Sequence, residues 1–321
     1  MQYKLKKIKS DASFREFFRL KKGNKTSIIV TAKKERYRNL IAYSAINKFL
    51  RGKGIYTPKT ISQHFSEGIM EIEDFGDNTL FHSIRKSKNI FPYYKKSINV
   101  ILKLQKIKPI NKIKIKLDRN FKLNNYNIKN LHKDSDLFLN WYLPGVLGKR
   151  KSKKFKKKIK IELNKLYKQI YFKNKFIVHR DFHVSNIMPV KSKLGIIDTQ
   201  DVILGNPMYD VASLIDDVRI QIPLPIKNKI FQYYLKKSSL RKNIYFLKND
   251  FDILSIQRNL KILGIFYRLN KRDKKPQYLK YLPYTWKLIE LRMKNKIFKN
   301  LEKILLNVVS KKLRKKILIE N

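Results

Sequence analysis

A change of hydrophobic period near Gly76 constrains this chain more than any other feature. Before it, apolar residues fall in short strand-like runs: residues 2–8, then 16-EFFRL-20 beyond the turn 10-SDASFR-15, then the β-branched 27-SIIVTA-32. Tyr37, Leu40, Ile41, Ala45 and Phe49 recur at helical spacing within 34–50, and Gly52 and Gly54 end that pattern. Two alternating runs, 59-KTISQHF-65 and 69-IMEIEDF-75, flank 66-SEG-68 and read as a hairpin. After Gly76 the period is helical over 78–88, 91–106, 130–142, 151–172, 207–221, 224–238 and 251–270. Only short strand-like runs near 176–178, 187–190 and 194–198 interrupt it. The pattern predicts an α+β chain: a small β-rich N-terminal lobe over 1–75 and a larger helical C-terminal lobe over 76–321. A ligand cleft between two such lobes is the default expectation.

The charge calls for a bland reading before an interesting one. Lys and Arg number 75 against 24 Asp and Glu, a net +51, which raises nucleic acid as a partner. The lysines, however, are spread from KLKKIK at the start to KKLRKK near the end, amid abundant Ile, Asn, Tyr and Phe. That is the composition an AT-rich coding sequence gives, so nucleic-acid binding is not expected. The densest run, 149-KRKSKKFKKKIK-160, reads as a solvated helix face. A hydrophobic fraction of 43% excludes wholesale disorder. No stretch approaches the about 18 apolar residues of a membrane span, and the first residues lack the apolar core of a secretory signal. Zero cysteines exclude disulfides and thiolate metal sites and fit a cytoplasmic location. The five histidines lack zinc spacing.

The chemistry concentrates in 178-VHRDFHVSNIM-188, which follows the apolar 176-FIV-178 and precedes 196-II-197 and Asp198. Phosphoryl transfer asks a protein for a carboxylate that orients the attacking hydroxyl and takes its proton, and for hard oxygen ligands to Mg²⁺. Asp181 suits the first task; Asn186 and Asp198 suit the second. His179-Arg180-Asp181 alone is no better than a polar loop, whose Asp and Asn favour turns. The whole spaced set, with strands leading in and a hairpin returning through Leu194, Ile196 and Ile197, follows the catalytic-loop plan of kinases. In 205-GNPMYDVASLIDD-217, Asp210 opens an apolar helix. It is either a helix N-terminal carboxylate or a brace to the His179-Arg180 loop, and His183 either meets substrate or holds the loop.

Taken together, VHRDFHVSNIM, IIDTQD and GNPMYDVASL resemble the aminoglycoside/choline phosphotransferase superfamily, which implies a bilobal protein-kinase-like fold using ATP and Mg²⁺. Four further stretches, 10-SDASFREFFRL-20, 70-MEIEDFGDNTL-80, 138-FLNWYLPGVLG-148 and 257-QRNLKILGIFYRLNKRDKKPQYLKYLP-283, resemble the anomeric N-acetylmuramate/N-acetylglucosamine kinases within it. The resemblance implies that Asp181 is the base and that Asn186 and Asp198 hold Mg²⁺. It implies that Ser10, Asp11, Ala12, Ser13, Phe14 and Arg15 cover the nucleotide phosphates, and that Glu73, Asp74 and Phe75 run past the adenine. His179, Arg180, His183 and Asp210 are the candidates expected to brace the loop. Asp201, Trp141, Arg258 and Arg268 are the acceptor candidates.

Two departures stand out. The run 27-SIIVTA-32 carries no lysine and the helix over 36–50 no acidic residue, so the usual kinase ion pair is missing. Arg15 or Lys33 is expected to supply the charge. Asn140 also stands where the family pattern has an acidic residue. The implied function is ATP-dependent phosphorylation of the anomeric hydroxyl of an N-acetyl amino sugar in cell-wall recycling, by a cytoplasmic monomer. Two alternatives stay open: another small hydroxyl acceptor (aminoglycoside or choline-like), or a nucleic-acid binder on a degenerate kinase fold.

Overall fold

The strands form where β-branched and aromatic residues alternate with polar ones. In the computed structural model, which describes residues 3–8, 15–33, 37–110, 112–114 and 120–315, five of them make one antiparallel sheet. These are β1 (Tyr3–Ile8), β2 (Glu16–Lys22), β3 (Lys25–Thr31), β4 (Thr60–His64) and β5 (Ile69–Glu73), in the order β1-β2-β3-β5-β4. The register sets Phe17 opposite Val30, Ile28 opposite Ile72 and Val30 opposite Met70. Ile28, Val30, Met70 and Ile72 thereby share one buried face, and α1 (Tyr37–Gly52) closes it with Leu40 and Tyr43. Each such side chain contributes about 1.5–3 kcal/mol when fully buried, which holds the helix to the sheet. The predicted order of three strands, a helix and a hairpin is present.

The chain divides into two compact units. The first comprises Met1–Asn124 and Phe176–Leu204, the second Asn125–Lys175 and Gly205–Asn321. The catalytic-loop segment thus groups with the N-terminal sheet, a division drawn by packing at different places from the change of period at Gly76. The first unit adds α2 (Leu80–Arg85), α3 (Phe91–Lys106) and a hairpin of β6 (Lys112–Lys114) with β7 (Asn120–Lys122). Three-residue strands too short to show a period escaped the sequence reading here. The same holds for β11 (Ile203–Gly205), which pairs with β8 (Phe176–Val178). A separate hairpin joins β9 (Ile187–Val190) to β10 (Lys193–Ile196). The strand predicted over 194–198 stops at Ile196 because Asp198 adopts the left-handed conformation, with φ 65°.

The second unit is helical: α4 (Ile128–Leu137), α5 (Leu143–Leu147), α6 (Lys149–Lys168), α7 (Met208–Ile215), α8 (Leu224–Lys237), α9 (Ile244–Lys271), α10 (Leu282–Met293), α11 (Lys299–Val308) and α12 (Lys311–Lys315). Asn127 caps α4, accepting from the Asn130 amide at 3.2 Å, and a π-helical turn over Phe138–Tyr142 follows it. On α6, Ile159, Leu163 and Leu166 face inward while Lys151, Lys153, Lys154, Lys157, Lys158 and Lys160 are exposed. The long α9 is buried on most of its faces and runs against α4, α7 and α10. It begins seven residues before the predicted start at 251, and α7 ends at Ile215 rather than 221. There Asp216 turns inward: its carboxylate accepts from Lys227 at 2.8 Å and from Arg292 at 2.7 and 2.9 Å. Burial alone would push the Asp216 pKa up, but the two cations hold it below the usual carboxylate range. No helix among the described residues is long and apolar enough to cross a membrane.

Candidate phosphotransfer site

The loop after β8 is held mainly by its own backbone. The Asp181 carbonyl accepts from the His183 amide and from Asn186 Nδ2, each at 3.0 Å. The Asn186 amide donates to the His183 carbonyl at 2.9 Å, and Ile197 N donates to the Asn186 carbonyl at 3.1 Å. His179, fully buried, donates its Nε2–H to the Ile197 carbonyl at 3.0 Å, so the returning chain is tied at both ends of the loop. Val178, Phe182, Val184, Ile187 and Ile196 anchor the loop from below, while Asp181, Asn186 and Asp198 remain half-buried. Arg180 and Asp198 both adopt positive φ, 73° and 65°. Such conformations cluster where function over-determines the backbone. Asp181, Asn186 and Asp198 are therefore linked through one hydrogen-bonded loop and its return strand.

Asp198 carries the most informative contacts. Its Oδ1 accepts from Arg15 Nη2 at 2.6 Å and from Gln200 Nε2 at 3.0 Å. Arg15 is 5% exposed, donates also to Gln200 Oε1 at 3.0 Å, and stands over the rings of Phe17 and Tyr43. Burial keeps the Tyr43 hydroxyl protonated, with its pKa pushed up to about 12. Next to it, Thr199 donates to Asn47 Oδ1 at 2.5 Å, fixing the Asp198 turn to α1. Of the two cations expected to replace a strand lysine, Arg15 reaches Asp198, whereas Lys33 is exposed. Ser10, Asp11, Ala12, Ser13 and Phe14 lie outside the described residues.

The segment after β5 is tightly engaged. Glu73 accepts from Tyr56 at 2.9 Å, from Arg51 at 3.0 Å and from the Lys59 amide at 3.1 Å. Asp74 takes a forked contact from Arg19 at 2.6 and 3.1 Å, and the Gly76 amide donates to it at 2.8 Å. With both carboxylates committed, this segment has its backbone and Phe75 to offer a ligand. Phe75 stacks obliquely on Tyr56 and lies on β10, where a Cβ at Gly195 would stand 2.5 Å from its ring. Asp201 is exposed and accepts from Gln200 at 3.1 Å.

The remaining candidates belong to the second unit. Asp210 is 2% exposed in the first turn of α7 and is engaged. Trp141 is half-buried in the π-helical turn, and its neighbour Asn140 accepts from Lys156. Arg258 is buried on α9 and Arg268 half-buried one turn from its end, its pKa lowered by burial and by Arg272. A π turn inside a helical run often marks a functional site.

A family model described as "Phosphotransferase enzyme family" matches residues 4–243, three quarters of the sequence. The chain belongs to this family. As a phosphotransferase of the kinase class, it transfers a phosphoryl group to a hydroxyl acceptor. It is 26% identical over 288 residues to an N-acetylmuramate/N-acetylglucosamine kinase of Pseudomonas aeruginosa, covering 88% of this chain and 81% of the relative. Among solved structures it resembles a choline/ethanolamine kinase family protein from Mesorhizobium loti, with TM-score 0.62, 11% identity, and 94% and 92% of the two chains covered. It also resembles an ADP-bound aminoglycoside phosphotransferase, with TM-score 0.59, 15% identity, and 89% and 92% covered. These likenesses establish the protein-kinase-like fold anticipated from the sequence. Sequence reasoning missed Asn47 and Gln200, which hold the turn at Asp198, and Tyr56, which engages Glu73 and Phe75. Their side chains are common polar types, and only the fold brings Asn47 to Thr199 across 152 residues.

Proposed function

We propose that this phosphotransferase is an ATP-dependent kinase of N-acetyl amino sugars, acting on the anomeric hydroxyl of N-acetylmuramate or N-acetylglucosamine. As the sugar O1 bonds to the γ-phosphorus and the bond to ADP breaks, an Asp181 carboxylate oxygen takes the O1 proton and releases it to solvent. The products are ADP and the sugar 1-phosphate, a form suited to re-entry into cell-wall synthesis. A hemiacetal hydroxyl is more acidic than an ordinary alcohol, so a carboxylate is a less mismatched base for it.

Residues 1–75 form the nucleotide lobe of this reading and 76–321 the catalytic and acceptor lobe. The segment 10–15 is assigned to the phosphates, Arg15 supplies the cation that β3 lacks, and the backbone of Glu73–Phe75 faces the adenine. His179, Arg180, His183 and Asp210 hold the loop, and Asp201, Trp141, Arg258 and Arg268 meet the acceptor.

The donor set suits Mg²⁺, which takes few protein ligands, all hard oxygens, beside phosphates and water. Asn186 commits its amide nitrogen to Asp181, so its Oδ1 is the atom left for a metal. Asp198 commits Oδ1 to Arg15, which leaves Oδ2. Mg²⁺ bound there would offset the phosphate charge.

The observation that carries the reading is the loop joining Asp181, Asn186 and Asp198, in a chain that aligns over 88% of its length with a kinase named for these two sugars. The test is ADP release from Mg·ATP with N-acetylmuramate, N-acetylglucosamine, N-acetylgalactosamine, choline and an aminoglycoside. Turnover confined to the N-acetyl sugars supports the reading. Silence with those sugars, in folded protein that binds ATP, overturns it.

A further inference from the structure

Four Lys or Arg side chains are buried among the described residues: Arg15, Lys227, Arg258 and Arg314. Three of them have a carboxylate. Arg15 meets Asp198 at 2.6 Å, Lys227 meets Asp216 at 2.8 Å, and Arg314 meets Glu290 at 2.7 Å. Arg258 has none. It is 4% exposed, its Nη1 is buried without a hydrogen-bond partner, and no ion pair reaches it among the described residues. Its neighbours on α9 are satisfied at least in part. Gln257 donates to Tyr126 at 3.3 Å, Asn259 donates to Ser255 at 3.3 Å, and Asp250 accepts from the Tyr171 and Phe172 amides. A guanidinium withdrawn from water with no counter-charge is strongly unfavourable, and a fold that pairs its other buried cations has left this one for something it binds.

The fork of a guanidinium matches the two oxygens of a carboxylate. Within the reading above, on which this step rests, the two candidate acceptors differ by such a group: N-acetylmuramate carries a lactyl carboxylate that N-acetylglucosamine lacks. We propose that Arg258 is the residue that recognises the carboxylate of the acceptor sugar and sets the preference for N-acetylmuramate over N-acetylglucosamine. Half-buried Arg268, ten residues further along α9, lies on a different helix face and is not needed for this role.

Arg258→Met keeps the apolar stem and removes the charge. Three readings of this variant against wild type decide the matter. Without ligand, its Tm equals or exceeds that of the wild type, because an unpaired buried cation is gone; a clearly lower Tm would mean that Arg258 serves the fold. In thermal-shift titrations without ATP, N-acetylmuramate raises the wild-type Tm more than N-acetylglucosamine does, and the variant loses that difference. In turnover, the kcat/KM ratio of N-acetylmuramate to N-acetylglucosamine falls about 10- to 100-fold, the worth of one charged hydrogen bond or pair of them.

An unchanged ratio, or a variant that loses the shift given by Mg·ATP instead of the sugar's, overturns the proposal, the latter by assigning Arg258 to phosphate. Absence of turnover with both sugars in the wild type would sink the kinase reading itself. The sugar-induced shift would still decide whether Arg258 binds a carboxylate, and no excess shift with N-acetylmuramate would overturn that too.

Discussion

Asp181 and Asn186 hold each other before they hold any ligand, since the Asn186 amide nitrogen donates to the Asp181 carbonyl. Asp181→Asn keeps the size of the side chain and removes the basic carboxylate. It is expected to lower kcat by about 10²- to 10⁴-fold, the usual range for a general base, in a variant that stays folded. Steady-state kinetics beside thermal unfolding check this, and near-native turnover would remove Asp181 from the base role. Arg15 differs, because it is itself buried and holds Asp198 through its guanidinium. Arg15→Met should raise the KM for Mg·ATP and shift the Mg²⁺ dependence of turnover to higher concentration, whereas a surface arginine would alter neither. The spacing of Asp181, Asn186 and Asp198 was legible because one loop and one hairpin set it. The Arg15–Asp198 contact, spanning 183 residues, was not, because no local pattern encodes which strand end meets which turn.

At the scale of elements, α9 carries most of the second unit's packing and two of its sharper predictions. Gly264 lies where a Cβ would stand 2.2 Å from the Leu137 carbonyl carbon, backbone that has no room to yield. Gly264→Ala should therefore destabilise the protein by about 1–3 kcal/mol or more, read from denaturant unfolding. Asp252, also on α9, has its pKa raised to about 6 by burial, against an ordinary 3.8, although Asn295 and Arg292 partly compensate. Between those values the folded protein holds a proton that the unfolded chain has lost, so stability falls as pH rises from about 4 to 6. Asp252→Asn should remove up to about 3 kcal/mol of that fall, making the variant relatively more stable above pH 6 than at pH 4. Urea titrations at both pH values would measure it, and parallel curves would contradict it. The helices up to α9 were legible from their periods, but the end of α7, the start of α9 and the helices α10, α11 and α12 beyond it were not. At Asp216, the C-cap of α7, the carboxylate turns into a buried ion pair that no local pattern announces.

At the scale of the molecule, the +51 charge stays separate from the catalytic reading. Lysines crowd the exposed side of α6, while the residues of the phosphotransfer loop are anchored by apolar side chains and backbone hydrogen bonds. The fold class was legible because a change from strand to helical period needs no knowledge of contacts. Which segments would form one compact unit was not, since residues 176–204 join the N-terminal part through tertiary contacts alone. In the proposed reaction this loop delivers phosphate to the anomeric oxygen of an N-acetyl sugar. Phosphorus NMR of the products formed from Mg·ATP with N-acetylmuramate and with N-acetylglucosamine is the sharpest test, because coupling to the sugar protons reports which oxygen is esterified. Phosphate coupled to H1 is the expected product; phosphate coupled to the C6 protons, or no phosphorylated sugar from either substrate, would contradict this.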